Sequence, residues 1–160
     1  MGAPLSSEDL LRPTLSGYER TPALYSSAGF FLSSFFGGPL GAAIYGGANS
    51  HRLNRSSRDL PLLLAIVAAA FLLATLLHDA GWLQRLAEYV GGSTGRNYGI
   101  VMRALGLASY GTIYLMHRRF FRSARVSGAK AVSGWVPGIA AVVAGYAANA
   151  AFLTWLLKHH

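Results

Sequence analysis

The stretch FFGGPLGAAIYGG, residues 35–47, decides how this chain is read. It lies in an apolar run from about Leu24 to Ala48. A helix needs about 20 apolar residues to cross a bilayer, so the run is long enough. Yet it carries Gly37, Gly38, Gly41, Gly46, Gly47 and Pro39. Lipid tails are as apolar as leucine, so helices associate in membranes through close backbone approach, which small residues permit. Gly37 and Gly41 are four apart, as are Gly38, Ala42 and Gly46. That spacing places each series on one face of a helix, and the run is read as a central helix that others press against. Pro39 removes a backbone hydrogen bond and favours a kink, with the hydroxyls of Ser33 and Ser34 one turn back to satisfy freed carbonyls. A sharper reading makes Gly37-Gly38-Pro39 an unwound break that lines a solute site, as in discontinuous transporter helices.

Three further apolar runs follow: about Leu60 to Leu77, Tyr98 to Met116 and Trp135 to Leu157. The second, LPLLLAIVAAAFLLATLL, has no charge, and Ser57 or Asp59 is the expected N-cap ahead of Pro61. Across the 160 residues 52% are hydrophobic and 12% charged, about half the charged share of a soluble domain. The fold class expected is all-α: a polytopic membrane protein with four transmembrane helices in a small bundle. Residues 1–23 form a polar N-terminal tail, 24–157 the membrane domain, and 158–160 a C-terminal tail.

The loop HDAGWLQRLAEYVGGSTGRN, residues 78–97, holds Trp82, Leu83, Leu86, Tyr89 and Val90 at helical spacing. It is read as a short interfacial helix between the second and third spans, followed by a flexible Gly-rich turn. Without the Gly-Lys-Ser/Thr ending, that turn is not a phosphate loop.

The formal charge is +8. Its clustering between spans points to anionic lipid rather than nucleic acid, with Arg118, Arg119, Arg122 and Arg125 as the lipid-facing group. The linkers 49–59 and 117–134 hold eight Lys or Arg; the tails and the 78–97 loop hold five. The positive-inside rule then puts those linkers in the cytoplasm and both termini outside, in a bacterial inner membrane. Gly2 and Ser6 fit a myristoylation pattern, but a chain with four spans needs no lipid anchor.

There is no cysteine, so disulfides, thiolate chemistry and cysteine-bound metals are excluded. No carboxylate pair, H-E-x-x-H or G-x-S-x-G occurs, and Ser and His stand in no arrangement that implies activation. His51 and His117 end spans and are not read as haem or metal ligands. No catalytic, cofactor or metal residue is expected. Small-residue packing is expected at Gly37, Gly38, Pro39, Gly41, Ala42 and Gly46 of the first span, and at Ala144, Gly145 and Ala148 of the fourth. Arg103 either snorkels to the outer interface or lines a polar path, and Asn149 either bonds a neighbouring helix or joins that path.

At FFGGPLGAAIYGGANSHRLNR, through Phe36, Gly37, Gly38, Pro39, Leu40, Asn49, Arg52 and Leu53, the chain resembles a set of small bacterial multi-span inner-membrane proteins of unassigned function. Asn54 stands where they often have Gly. The word GGPLGA is also similar to the first span of small fluoride channels, but their polar second span and Phe-Thr-rich third span have no counterpart here.

The reading is a non-enzymatic structural, accessory or interaction subunit that packs through Gly/Ala-rich faces, homo-oligomeric or paired with a membrane-protein partner. The alternative is a small channel or transporter with a Gly-Pro break in its first span. The two differ in whether the break and Asn149 face a common cavity or packed helices.

Overall fold

Gly38 has φ 63° and ψ −155°, outside the helical range. Everything else in the architecture follows from what the chain does there. In the computed structural model, which describes residues 23–90, 93–126 and 132–159, five helices run in order. They are α1 (Ser27–Arg52), α2 (Ser56–Asp79), α3 (Trp82–Val90), α4 (Thr94–Val126) and α5 (Trp135–His159). The protein is an all-α helical bundle, and α1, α2, α4 and α5 are each long and apolar enough to cross a membrane.

By length and composition α1 is a span, but it is not straight. In a continuous helix Phe30 and Tyr45 would stand about 22 Å apart, at 1.5 Å per residue. Their rings stack with centroids 5.4 Å apart. The Tyr45 hydroxyl donates to the Ser26 carbonyl at 3.0 Å. The Tyr25 amide donates to Asn49 Oδ1 at 2.9 Å, and Arg52 Nε donates to the Ala23 carbonyl at 2.7 Å. A Cβ on Gly41 would collide with the Ser33 carbonyl. Apart from the long reach of Tyr45 to Ser26, these pairs centre on residues 37–38, so α1 is a hairpin of two antiparallel arms, 27–37 and 39–52, turning at Gly38. The arms span about 16 and 21 Å, short of the about 30 Å hydrocarbon core.

Local chemistry explains the turn. Gly38 combines a positive φ with an extended ψ, a backbone that essentially only glycine adopts and that costs other residues roughly 1–3 kcal/mol. Pro39 follows as the first residue of the second arm, where its missing N–H breaks no helical bond and its φ suits a helix start. The expected mid-helix kink is therefore a chain reversal. Ser33 and Ser34 do not serve carbonyls freed by Pro39. They donate to Gly29 and Phe30 carbonyls one turn back, at 2.8 and 2.7 Å. The first arm starts at Ser26, whose hydroxyl caps the Gly29 amide at 3.1 Å, a type of contact worth about 1 kcal/mol.

The hairpin is the centre of one half of the bundle. Its two arms pack against α2, α4 and α5 around Phe30, Ala42, Tyr45, Leu63, Ile113 and Ala141. We call this the base half. At its outer edge Val132 donates its amide to the Leu24 carbonyl, tying the lead into α5 to the lead into α1. The other half, beyond Gly38, is built by α2, α3, α4 and α5 around Ala74, Leu83, Tyr98, Met102 and Leu156. We call it the far half. On α2 the leucines Leu60, Leu62, Leu64, Leu72 and Leu76 point outward while Ala70 and Ala74 are buried. That is the arrangement expected of a helix whose outer face meets lipid.

Several boundaries differ from expectation. Arg55, not Ser57 or Asp59, is the N-cap residue of α2, and it makes no side-chain cap bond. The helix α4 continues ten residues past Met116, so Arg118, Arg119 and Arg122 lie on a helical extension rather than in a loop. With 33 residues it is about 50 Å long, more than a bilayer core requires. The α3 helix lies where the short helix was expected, but its face is divided. Leu83 is buried, while Trp82 and Tyr89, seven residues apart, are exposed. The N-terminal tail to residue 22, Gly91 and Gly92 of the Gly-rich turn, and Lys130 lie outside the described residues.

Because α1 reverses, Ala23 lies beside Arg52 at the edge of the base half, and α5 carries Lys158 to the edge of the far half. The expectation that both ends of the chain lie on one side rests on a straight α1, which the turn at Gly38 replaces by a hairpin.

Candidate functional site, at the tip of the hairpin

The tip is held by glycines on two helices. A Cβ on Gly145 of α5 would overlap the Gly37 carbonyl, and one on Gly106 of α4 would lie 2.7 Å from Gly38 Cα and strike the Ser34 carbonyl. Backbone, not flexible side chain, occupies those spaces. On α1 itself a Cβ on Gly37 would meet the Ala141 carbonyl at 2.8 Å, and one on Gly46 would meet Ile113 at 2.8 Å. Pro39 and Ala42 are buried as well. On α5 the series that faces the hairpin is Ala141 and Gly145; Ala144 is exposed and Ala148 half-buried. Residues 37 and 41 belong to different arms, so one helical face does not relate them, yet both glycines lie against the Ala141 carbonyl of α5. The spacing of four does relate Ala42 and Gly46, within the second arm.

Where the hairpin ends, the backbones of α4 and α5 diverge and leave a groove of about 490 Å³ between them that is open to the surface, with Arg96, Arg103 and Tyr146 exposed along it. Gly38 forms part of its lining, with Arg96, Tyr98, Arg103, Tyr146 and Asn149 as the polar side chains. No carboxylate lines it. Arg103 adjoins Met102, whose carbonyl lies 3.4 Å from where a Gly38 Cβ would be. This puts Arg103 at the level of the tip, its guanidinium 5.5 Å from the Phe35 ring centre. It makes no ion pair among the described residues. Asn149 Nδ2 donates to the Gly37 carbonyl over a long 3.5 Å, so it addresses one of the orphan carbonyls at the end of the first arm. Its Oδ1 is buried and has no hydrogen-bond partner among the described residues, and neither has the hydroxyl of the buried Tyr98. At the tip the carbonyl end of the first arm lies beside the N–H end of the second, so their helix dipoles largely offset one another. A groove with two arginines, no carboxylate and unpartnered hydrogen-bonding groups has the chemistry to hold a small anion.

A second polar cluster occupies the opposite edge of the base half. Ser50 of α1, Asp59 of α2 and His117 of α4 are all at most 2% exposed. Ser50 Oγ donates to Asp59 Oδ2 at 2.9 Å and lies 3.1 Å from His117 Nε2, which is also 3.1 Å from Asp59 Oδ2. Arg55 Nη2 approaches Asp59 Oδ1 at 3.7 Å. The residues are those of a hydrolase triad, but the geometry is a triangle. A relay needs the carboxylate on one imidazole nitrogen and the serine on the other. Here Nε2 faces both, and Nδ1 is buried without a partner.

Sequence reasoning missed this cluster because 50, 59 and 117 are far apart along the chain. A signal existed: an acid in the first turn of one span and a histidine ending another, on the same side. Arg118, Arg119 and Arg122, expected to face lipid, are exposed beside His117, and the side chain of Arg125 lies outside the described residues.

Comparison with protein-family models, with curated proteins and with solved structures gave no match for this chain.

Proposed function

We propose that this membrane protein moves a small anion, as a channel or transporter, through a site at the tip of the α1 hairpin. One observation carries the reading: Gly38, at the turn of a half-length hairpin, forms part of a groove that also holds Arg103 and Asn149. Half-length helices that end in the membrane expose unpaired backbone groups to whatever fills the space beyond. A cationic groove without a carboxylate favours anions, and arginine at such depth is costly unless it has a task. No catalytic role is assigned to any residue.

The same reading orients the protein. The N-terminal tail and the two Arg-rich linkers lead to the base edge and hold ten of the fourteen Lys and Arg; only Arg85, Arg96 and Lys158 belong to the far edge. The base edge is therefore placed in the cytoplasm of a bacterial inner membrane and the C-terminus outside. Arg118, Arg119, Arg122 and Arg125 then meet anionic lipid at the cytoplasmic face.

The test is reconstitution of the purified chain in liposomes loaded in turn with fluoride, chloride, nitrate and phosphate. Efflux of at least one anion is expected, reduced about tenfold or more by Arg103→Gln, in line with loss of a charge-assisted contact. Wild-type protein that passes none of these anions would contradict the proposal.

A packing subunit is the second reading. It is favoured by the exposed apolar face of α5, where Trp135, Val136, Ile139, Val143 and Tyr146 are bare in the single chain. A second copy or a larger membrane protein would cover it, and a defined oligomer without flux would favour that role.

A further inference from the structure

We propose that two grooves along α5 are the halves of one path across the membrane, and that the side chain of Phe36 is the gate between them. The inference rests on the transport reading and names the point at which transport is controlled. The gate itself can be tested without any anion.

A second groove, of about 680 Å³, lies in the base half between the first arm and α5. It runs from Ser26 and Ser133 at the base edge to Phe36 and Val143 near the tip. The groove of the far half runs from Gly95 and Arg96, in the first turn of α4, to Gly38 and Phe36. Among the described residues Phe36 is the one that lines both.

The helix α5 turns the same face to both grooves. Trp135 and Val142 line the base groove, and Asn149, seven residues further on, lines the other. Ile139, Tyr146 and Leu153 repeat that spacing from one groove into the next. Seven residues make about two helical turns, so each series follows one face. What changes is the opposite wall. In the base half it is the first arm, with Gly29, Ser33 and Phe36 at helical spacing. Beyond the tip it is α4. The change falls at Phe36 because that residue carries the last side chain of the first arm; Gly37 and Gly38 follow it.

The two sides of the junction differ in chemistry. The far groove holds Arg96 and Arg103, whereas the described residues of the base groove bring hydroxyls and no charge. An apolar constriction beside a polar site gates a pore by losing its water. The backbone at the junction is fixed, with Gly37 pressed against Gly145 and Gly38 against Gly106. The Phe36 ring is the movable part, since the residue is 51% exposed. It stands perpendicular to the Phe35 ring, centroids 5.1 Å apart, and Phe35 in turn faces the Arg103 guanidinium. The gate is therefore one ring away from the charge that holds the anion.

The chain has no cysteine, so one introduced thiol reports its own access to water. Val143 and Tyr146 are exposed on either side of the junction, and Leu72 is exposed on α2, in neither groove. Full-length Val143→Cys, Tyr146→Cys and Leu72→Cys are labelled with a membrane-impermeant maleimide in sealed membrane vesicles of both orientations. With Phe36 in place, Val143→Cys should react from the base side and Tyr146→Cys from the far side, each at least about tenfold faster than Leu72→Cys. In the Phe36→Ala background each should react from both sides, the newly opened side gaining at least about tenfold. Phe36→Leu, which keeps a smaller apolar side chain, should show the same change to a lesser degree. Rates no greater than that of Leu72→Cys would mean that lipid fills the grooves and would overturn the proposal. Reaction from both sides with Phe36 in place would also overturn it, as would unchanged sidedness in the two Phe36 variants. Sided labelling without flux of any anion would remove the anion and keep the gated path. Arg103-dependent flux with labelling that ignores Phe36 would do the reverse, so the two readings fall separately.

Discussion

The two halves of the bundle use the same helices differently. In the base half two extra helical arms fill the space between α2, α4 and α5, and backbone touches backbone through glycine. In the far half Leu83 of α3 and large side chains such as Tyr98 and Leu156 make the core, the backbones of α4 and α5 stand further apart, and a groove with arginines opens beside them. The difference teaches that the glycines of residues 35–47 serve two ends at once. They let a hairpin fit inside a bundle, and they stop it halfway. A straight α1 with the same composition would have packed both halves alike and left no site.

Variants that break this contrast can be ranked. Gly106→Leu should have the largest effect, since the atoms in its way are the Ser34 carbonyl and the Gly38 backbone. Thermal or denaturant unfolding in detergent should lose about 3 kcal/mol, the upper end of overpacking costs, and Gly145→Leu should do the same at the Gly37 carbonyl. Gly38→Ala should cost roughly 1–3 kcal/mol for a positive-φ, extended-ψ backbone that essentially only glycine adopts, with further crowding from Asn149. Pro39→Ala is milder: as the first residue of an arm it sacrifices only chain stiffness, about 0.4–1 kcal/mol. Arg103→Gln should move stability by less than about 0.5 kcal/mol while anion flux falls, which separates the site from the scaffold. The smallest change has the opposite sign. A Cβ on Gly99 or Gly111 meets nothing within 4 Å. Alanine there should stabilise slightly, up to about 0.5–1 kcal/mol from helix propensity. If Gly99→Ala harmed stability as much as Gly106→Leu, the contrast between the halves would be wrong.

Much of the architecture could be read from the chain. Four long apolar stretches and their small residues mark an all-α membrane bundle, and the spacing of Trp82, Leu83 and Leu86 marks α3. Arg103 and Asn149 were singled out as polar residues at membrane depth, and both line the groove. The reversal at Gly38 was not legible, because helical periodicity assumes a continuous helix. Gly37 and Gly41 fit one face on paper only if nothing turns between them. Pro39 carried the missing information: proline one residue after two glycines is as natural at the first turn of a new helix as inside an old one. The Ser50–Asp59–His117 cluster was hidden for a different reason. It depends on three segments meeting, and on Asn49 and Ser50 being at the mouth of a hairpin rather than at the far end of a span.

The central claim is that α1 turns back, and a distance measures it. Spin labels on cysteines at Ser27 and His51, both exposed, report the separation of the two ends of α1 in the full-length protein. The chain has no cysteine of its own to confuse the signal. The fold-back places the arms side by side at about 8–10 Å between axes, so the label distance by double electron–electron resonance should fall below about 25 Å, label length included. A continuous helix would separate the same positions by about 36 Å, and a distance distribution centred there would contradict the account.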